Sequence, residues 1–247
     1  MFLSRILCAD GQSALALRQG SEAALVQGED DLAGLCRSAA AAGLSLEHLL
    51  LGKGLGEPVD IAGLLAQGRV LSPLPTGPVV LLPIGPGEQE VVSVLPPGAG
   101  LGVPASGALE GGAALVLLCL AGGDAVPLGW LQTQGVSDVA RARWISCGPE
   151  LCLALPEGPG LGQARLFSDT SRIAEFPFPG AEGDLTLPEL PPHPPGTVIL
   201  HRVARWLLRP RLDHQCATVE TRIAGLGLPL RNPLGGGAER AEVRRHA

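Results

Sequence analysis

The sequence contains no tyrosine, a single methionine and, with four phenylalanines and three tryptophans, few aromatic rings for its 247 residues. Its core must therefore be packed from leucine, valine and alanine. Charge is also sparse. With 17% charged residues and a formal net charge of −6, the chain lacks the basic field that draws proteins to nucleic acid, where phosphate neutralisation dominates affinity. Long apolar runs are missing, and the best of them, 113–121, has the length of a strand rather than the ~20 residues of a membrane helix. The start, Met1-Phe2-Leu3-Ser4-Arg5, runs into Cys8-Ala9-Asp10-Gly11 without the apolar core or cleavage site of a secretory signal. The expectation is a cytoplasmic protein with neither a membrane nor a nucleic-acid partner. Cysteines stand at 8, 36, 119, 147, 152 and 216, with no C-x-x-C pair and no histidine at ligand spacing. That pattern argues against a zinc site and reads as small buried residues in a reducing compartment.

Turn formers are plentiful. The 35 glycines and 23 prolines, set in a chain that is 46% hydrophobic, predict many turns between short strands. Residues 3–9 and 13–18 read as a hairpin about Asp10-Gly11, a dipeptide that tolerates the positive φ of a tight turn. A helix follows, capped by Asp30 or Asp31, with Leu32, Leu35, Cys36, Ala39 and Ala40 on one face and Gly43 as its stop. Ser45 opens a helical turn, and Pro58-Val59-Asp60 starts a third helix that ends at Gly68. Beyond Leu71 the pattern changes to short apolar strands, predicted at 79–82, 90–95, 113–120, 126–131, 150–155, 164–167, 197–203 and 218–223. No helix-length pattern separates them, so a folded-over sheet is expected rather than a βαβ array.

Three segments carry a resemblance to a known family. Gly225-Leu226-Gly227-Leu228-Pro229-Leu230-Arg231-Asn232-Pro233-Leu234 is similar to the closing motif of the sugar-acid dehydratase-like branch of the fumarylacetoacetate-hydrolase (FAH) family. Arg141-Ala142-Arg143 followed by Gly148-Pro149-Glu150-Leu151 resembles that family's Lys-Leu-Arg and Gly-Pro-Glu-Leu, and Gln134-Gly135-Val136-Ser137-Asp138 resembles its Asn-Glu-Phe-Ser-Asp. The resemblance implies a fold that is α+β and mainly β: a small α/β N-terminal domain over 1–75 and an FAH-like folded β-roll or sandwich over 76–235; the glycine-rich, then charged segment over 236–247 reads as a flexible tail. It also implies a homodimer.

In the family a divalent metal, Mg²⁺ or Mn²⁺, is held by a Glu-x-Glu pair and a further acid, and it polarises a chelated keto or enol oxygen. Aligned with those positions are Glu110, Gly112 and Gly135, so one acid remains and two positions lack a side chain. Glu110 is then a remnant metal ligand, or else a solvated loop glutamate. Arg141 replaces the family lysine; it keeps the charge, but a guanidinium does not give up its proton at working pH. The substrate-contacting Gly-Thr-x-Thr turn aligns with Ala204-Arg205-Trp206-Leu207. The candidate site accordingly comprises Arg141, Arg143 and Asp138 as catalytic residues, Glu150 and Arg205 as substrate contacts, and Glu110 at the metal position. His201, alternating with apolar neighbours, is a possible general base or a structural histidine. No cofactor is expected, with Mg or Mn the choice were the site intact. The functional expectation is a non-catalytic or weakly active binder of a small carboxylate-bearing keto-acid or sugar-acid-like molecule. The alternative is an active hydrolase or lyase with an altered or metal-independent site.

Overall fold

A computed structural model describes residues 1–75, 79–82, 90–99, 109–120, 125–136, 144–153, 162–168, 171–178, 193–208 and 218–233. The chain opens with three strands, β1 (Phe2–Leu7), β2 (Ser13–Gln19) and β3 (Glu22–Val26), joined as antiparallel hairpins. Gly11 at φ +83 makes the first turn, where the Asp10 carboxylate accepts from Gln12 N at 2.9 Å. Helices α1 (Leu32–Ala42) and α2 (Leu46–Gly52) follow, then β4 (Leu55–Pro58), α3 (Ile61–Ala66) and β5 (Val70–Leu71). Each helix begins where the capping residues predict. Asp31, Ser45 and Asp60 accept from the amides of Gly34, His48 and Gly63 at 2.5, 3.2 and 3.0 Å, and Gly43 at φ +64 ends α1. One face of this sheet packs Leu3, Leu15 and Leu17 with Leu32, Leu35 and Leu50. The other packs Ile6 and Ala16 with Ile61 and Val70.

The rest is strand: β6 (Val79–Leu82), β7 (Glu90–Leu95), β8 (Leu109–Cys119), β9 (Ala125–Val136), β10 (Trp144–Cys152), β11 (Gly162–Ser168), β12 (Ser171–Phe178), β13 (Val198–Leu208), β14 (Thr218–Ile223) and β15 (Leu230–Pro233). Strand β10 is the junction, because it pairs with β1, β7 and β9. The order β10-β7-β6-β13-β8-β9 therefore returns to β10 and closes a barrel, and β1 carries the N-terminal sheet directly onto it. The unit over 1–75 thus shares one continuous sheet with the barrel. Alternate residues of the barrel strands, including Val79 and Leu81, Ala114, Val116 and Leu118, Leu131, Cys147, Val198 and Leu200, join the N-terminal leucines in one buried core.

A second, antiparallel sheet, β12-β11-β14-β15, lies against β8, β9 and β10. It buries Val219, Thr221, Ile223, Leu230 and Asn232, while Arg222 and Arg231 are exposed. The mainly β, α+β fold expected from the sequence is the one observed. The boundaries differ at the barrel end: β8 starts at Leu109 and β10 at Trp144, several residues before the predicted strands. The tail over 236–247 lies outside the described residues.

Candidate functional site

The three positions aligned with the metal-holding acids come together in the barrel ladder. Glu110 of β8 is the direct cross-strand partner of Gly135 of β9, and Gly112, two residues on, pairs with Thr133. On the other side of β8, Arg205 of β13 pairs with Gly112 and Leu207 with Glu110. Partners directly opposite in an antiparallel ladder hold their Cβ positions about 5 Å apart, so these backbone positions share one patch of the barrel wall. Glu110 accordingly belongs to a strand flanked on both sides, not to a loop. Gly135 is also paired with Ile145 of β10. Asp138, Arg141 and Arg143 lie outside the described residues, in the connection whose ends, Val136 and Trp144, flank that pair.

Glu150, expected as a substrate contact, sits toward the other end of β10. The β9–β10 ladder slips between Cys147 and Leu151, and this bulge spans Gly148, Pro149 and Glu150. The bulge re-aims the strand. Pro149 O accepts from Ser4 Oγ at 3.0 Å, and the Glu150 side chain, 0% exposed, accepts from Arg18 Nε at 2.5 Å and Nη2 at 2.7 Å. The backbone amide of Leu228 adds a third donor at 2.8 Å. Arg18 also donates to Gly20 O at 2.5 Å and has its guanidinium carbon 4.3 Å from the Phe2 ring centre. Its hydrogen bond to Glu150 raises the Arg18 pKa above the ordinary value, against the opposing effect of burial. Both Glu150 oxygens are engaged inside the protein, tying β2 and the closing motif to the barrel. Sequence reasoning missed Arg18 because 132 residues separate it from Glu150.

The closing motif is held from several directions. Gln132 Nε2 donates to Leu228 O at 3.0 Å, and Asn232 Nδ2 donates to Ala99 O at 2.9 Å and Ser146 Oγ at 2.8 Å. Gly227 has φ +91, and a Cβ there would stand 2.5 Å from Glu150 Oε2, so only glycine allows the loop to close over the carboxylate. Beside this anchor runs a groove of ≈ 930 Å³ bordered by Arg18, Glu22, Leu55, Val59, Asp60 and Leu228. His201, on β13 opposite Leu115 and Leu82, is half-buried; burial lowers its pKa, and its Nδ1 has no partner. Among the described residues no three His, Cys, Asp or Glu side chains are grouped to hold a metal ion. No helix of the described residues is long and apolar enough to cross a membrane.

No family model matches the sequence, and no curated protein does. Solved structures do. A 2-keto-3-deoxy-D-arabinonate dehydratase complexed with magnesium and 2,5-dioxopentanoate has a TM-score of 0.63 at 14% identity, covering 95% of this chain and 98% of that one. A hexagonal crystal form of 2-keto-3-deoxyarabinonate dehydratase gives 0.64 at 13% identity, with the same coverage. Fumarylacetoacetate hydrolase from the psychrophile Exiguobacterium antarcticum gives 0.59 at 13%, covering 96% of this chain and 100% of that one. Over nearly its whole length, the chain therefore has the fold of fumarylacetoacetate hydrolase and the 2-keto-3-deoxyarabinonate dehydratases.

Proposed function

We propose that this protein is a non-catalytic or weakly active binder of a small keto-acid or sugar-acid-like carboxylate, at a barrel-wall site whose metal-holding acids have been lost. The reading rests on one observation, the pairing of Glu110 with Gly135 and of Arg205 with Gly112. That ladder supports treating Glu110, Gly112 and Gly135 as one cluster, and glycine supplies no side-chain oxygen. A hard cation such as Mg²⁺ takes about six oxygen ligands, so a single carboxylate does not fit a tightly held ion.

Arginine is a reasonable substitute for recognition. A guanidinium pairs with carboxylates through two parallel hydrogen bonds, and it stays protonated at working pH. Arg205, with Arg141 and Arg143 from the β9–β10 connection, would then attract the acid directly, with Asp138 as the residual acid of that connection. Such a site binds and orients an anion but has no efficient proton shuttle. The neighbouring dehydratase complexed with 2,5-dioxopentanoate supports the ligand class. The protein is also proposed to act as a symmetric homodimer; a 25 kDa monomer in light scattering at micromolar concentration would count against that.

The test is Gly112→Glu combined with Gly135→Glu. Calorimetry should find a Mn²⁺ site in the folded double variant that the unaltered protein lacks. A tight Mn²⁺ site in the unaltered protein, or none in the folded variant, overturns the reading.

A further inference from the structure

Strand β9 has two chemically different faces. Leu131 points into the barrel core, whereas Gln132 reaches outward to the closing motif and Gln134 shares its side of the strand. The small sheet covers that outward side, with β14 and β15 against β9 and β15 also against β10. The layer between the sheets mixes apolar residues of the small sheet, Val219, Ile223 and Leu230, with a group of buried polar side chains. Ser146 is the cross-strand partner of Gln134 and receives a 2.8 Å hydrogen bond from Asn232. Thr221 lies diagonally across the β14–β15 ladder from Asn232, since Thr221 pairs with Leu230 and Val219 with Asn232.

Gln132, Gln134, Thr221 and Asn232 are each at most 1% exposed. Five of their side-chain atoms nevertheless have no partner within the protein: Gln132 Oε1, both ends of the Gln134 amide, Thr221 Oγ1 and Asn232 Oδ1. Folded proteins pair nearly all such atoms with protein groups or with ordered water. Donors and acceptors also occur together here, as a bridging water requires.

We infer that the junction between barrel and small sheet is a built water site, in which about two ordered waters, each making about three hydrogen bonds, join Gln132 and Gln134 to Thr221 and Asn232. The small sheet is then docked through apolar packing of Val219, Ile223 and Leu230 together with a hydrated polar cluster. Because Gln134 immediately precedes Gly135, the same layer backs the strand that carries the candidate site.

Thr221→Val tests the inference, since valine keeps the shape and removes the hydroxyl. Oxygen-17 relaxation dispersion on the full chain should report long-lived internal water whose amplitude falls in the variant, and the melting temperature should fall by about 2–4 °C. An isolated, unpaired hydroxyl predicts the opposite, because its removal relieves a desolvation penalty. Equal relaxation amplitudes, an unchanged or raised melting temperature, or a small organic molecule retained in native mass spectrometry would each overturn the inference. Gln134→Leu serves as a second variant, with the same expected loss of amplitude.

Discussion

Removing either member of the Arg18–Glu150 pair should destabilise the protein, and removing the arginine should cost more. With Glu150→Ala, Arg18 loses two hydrogen bonds and the Leu228 amide loses one. The guanidinium left behind is 18% exposed and keeps Gly20 O as an acceptor, so water and backbone offset part of the loss. Breaking a buried pair from one side costs about 3–5 kcal/mol, and the partial exposure places Glu150→Ala at the lower end, about 3 kcal/mol. Arg18→Met strands a carboxylate that is 0% exposed and retains only the Leu228 amide; about 4–5 kcal/mol is expected there. Because a well-packed apolar pair can replace a buried ion pair with little loss, Arg18→Met with Glu150→Met should be far more stable than the two single losses would add up to. Urea unfolding of the four proteins measures the coupling. Single costs below about 1 kcal/mol, or additive effects, would refute the view that this pair anchors the N-terminal sheet and the closing motif to the barrel.

Gly129 and Gly11 both have positive φ, at +147 and +83, but a Cβ on Gly129 would collide with the Cys152 backbone carbonyl whereas one on Gly11 meets nothing within 4 Å. Gly11→Ala should cost about 1 kcal/mol of left-handed strain, while Gly129→Ala should abolish folding or cost over 4 kcal/mol; similar losses in thermal melts would contradict the contact argument. Burial pushes the Cys36 and Cys147 thiols from 9.0 up to about 12, so the unfolded chain ionises first and their contribution, full below pH 9, is lost between pH 9 and 12. At pH 10 each should cost about 1.4 kcal/mol, and the slope of stability against pH should flatten in Cys36→Ala with Cys147→Ala; an unchanged slope would refute the assignment. Millimolar Mg²⁺ or Mn²⁺ should leave the melting temperature unchanged, and a rise of several degrees that chelator reverses would contradict the proposed loss of metal ligands.

Local chemistry made much of this fold readable in one dimension. Asp31, Ser45 and Asp60 cap helices because their side chains reach amides three residues on, and Gly43 and Gly11 permit left-handed backbone. The apolar run 79–82 and the alternating run 218–223 became strands for equally local reasons. The strand β3 was not legible, since Glu-Ala-Ala-Leu-Val suits a helix as well, and it is a strand because the two-residue turn after Gln19 lays it on β2. The candidate site was readable only as an alignment of Glu110, Gly112 and Gly135. Their meeting on neighbouring strands is a matter of ladder register, which no local preference encodes. The tertiary structure likewise decided that Gly148-Pro149-Glu150 is a bulge and that Glu150 faces Arg18 across 132 residues of chain. Caps and turns are stabilised by groups a few residues apart, whereas barrel closure through β10 and the pairing of buried charges depend on partners that only the folded chain brings together.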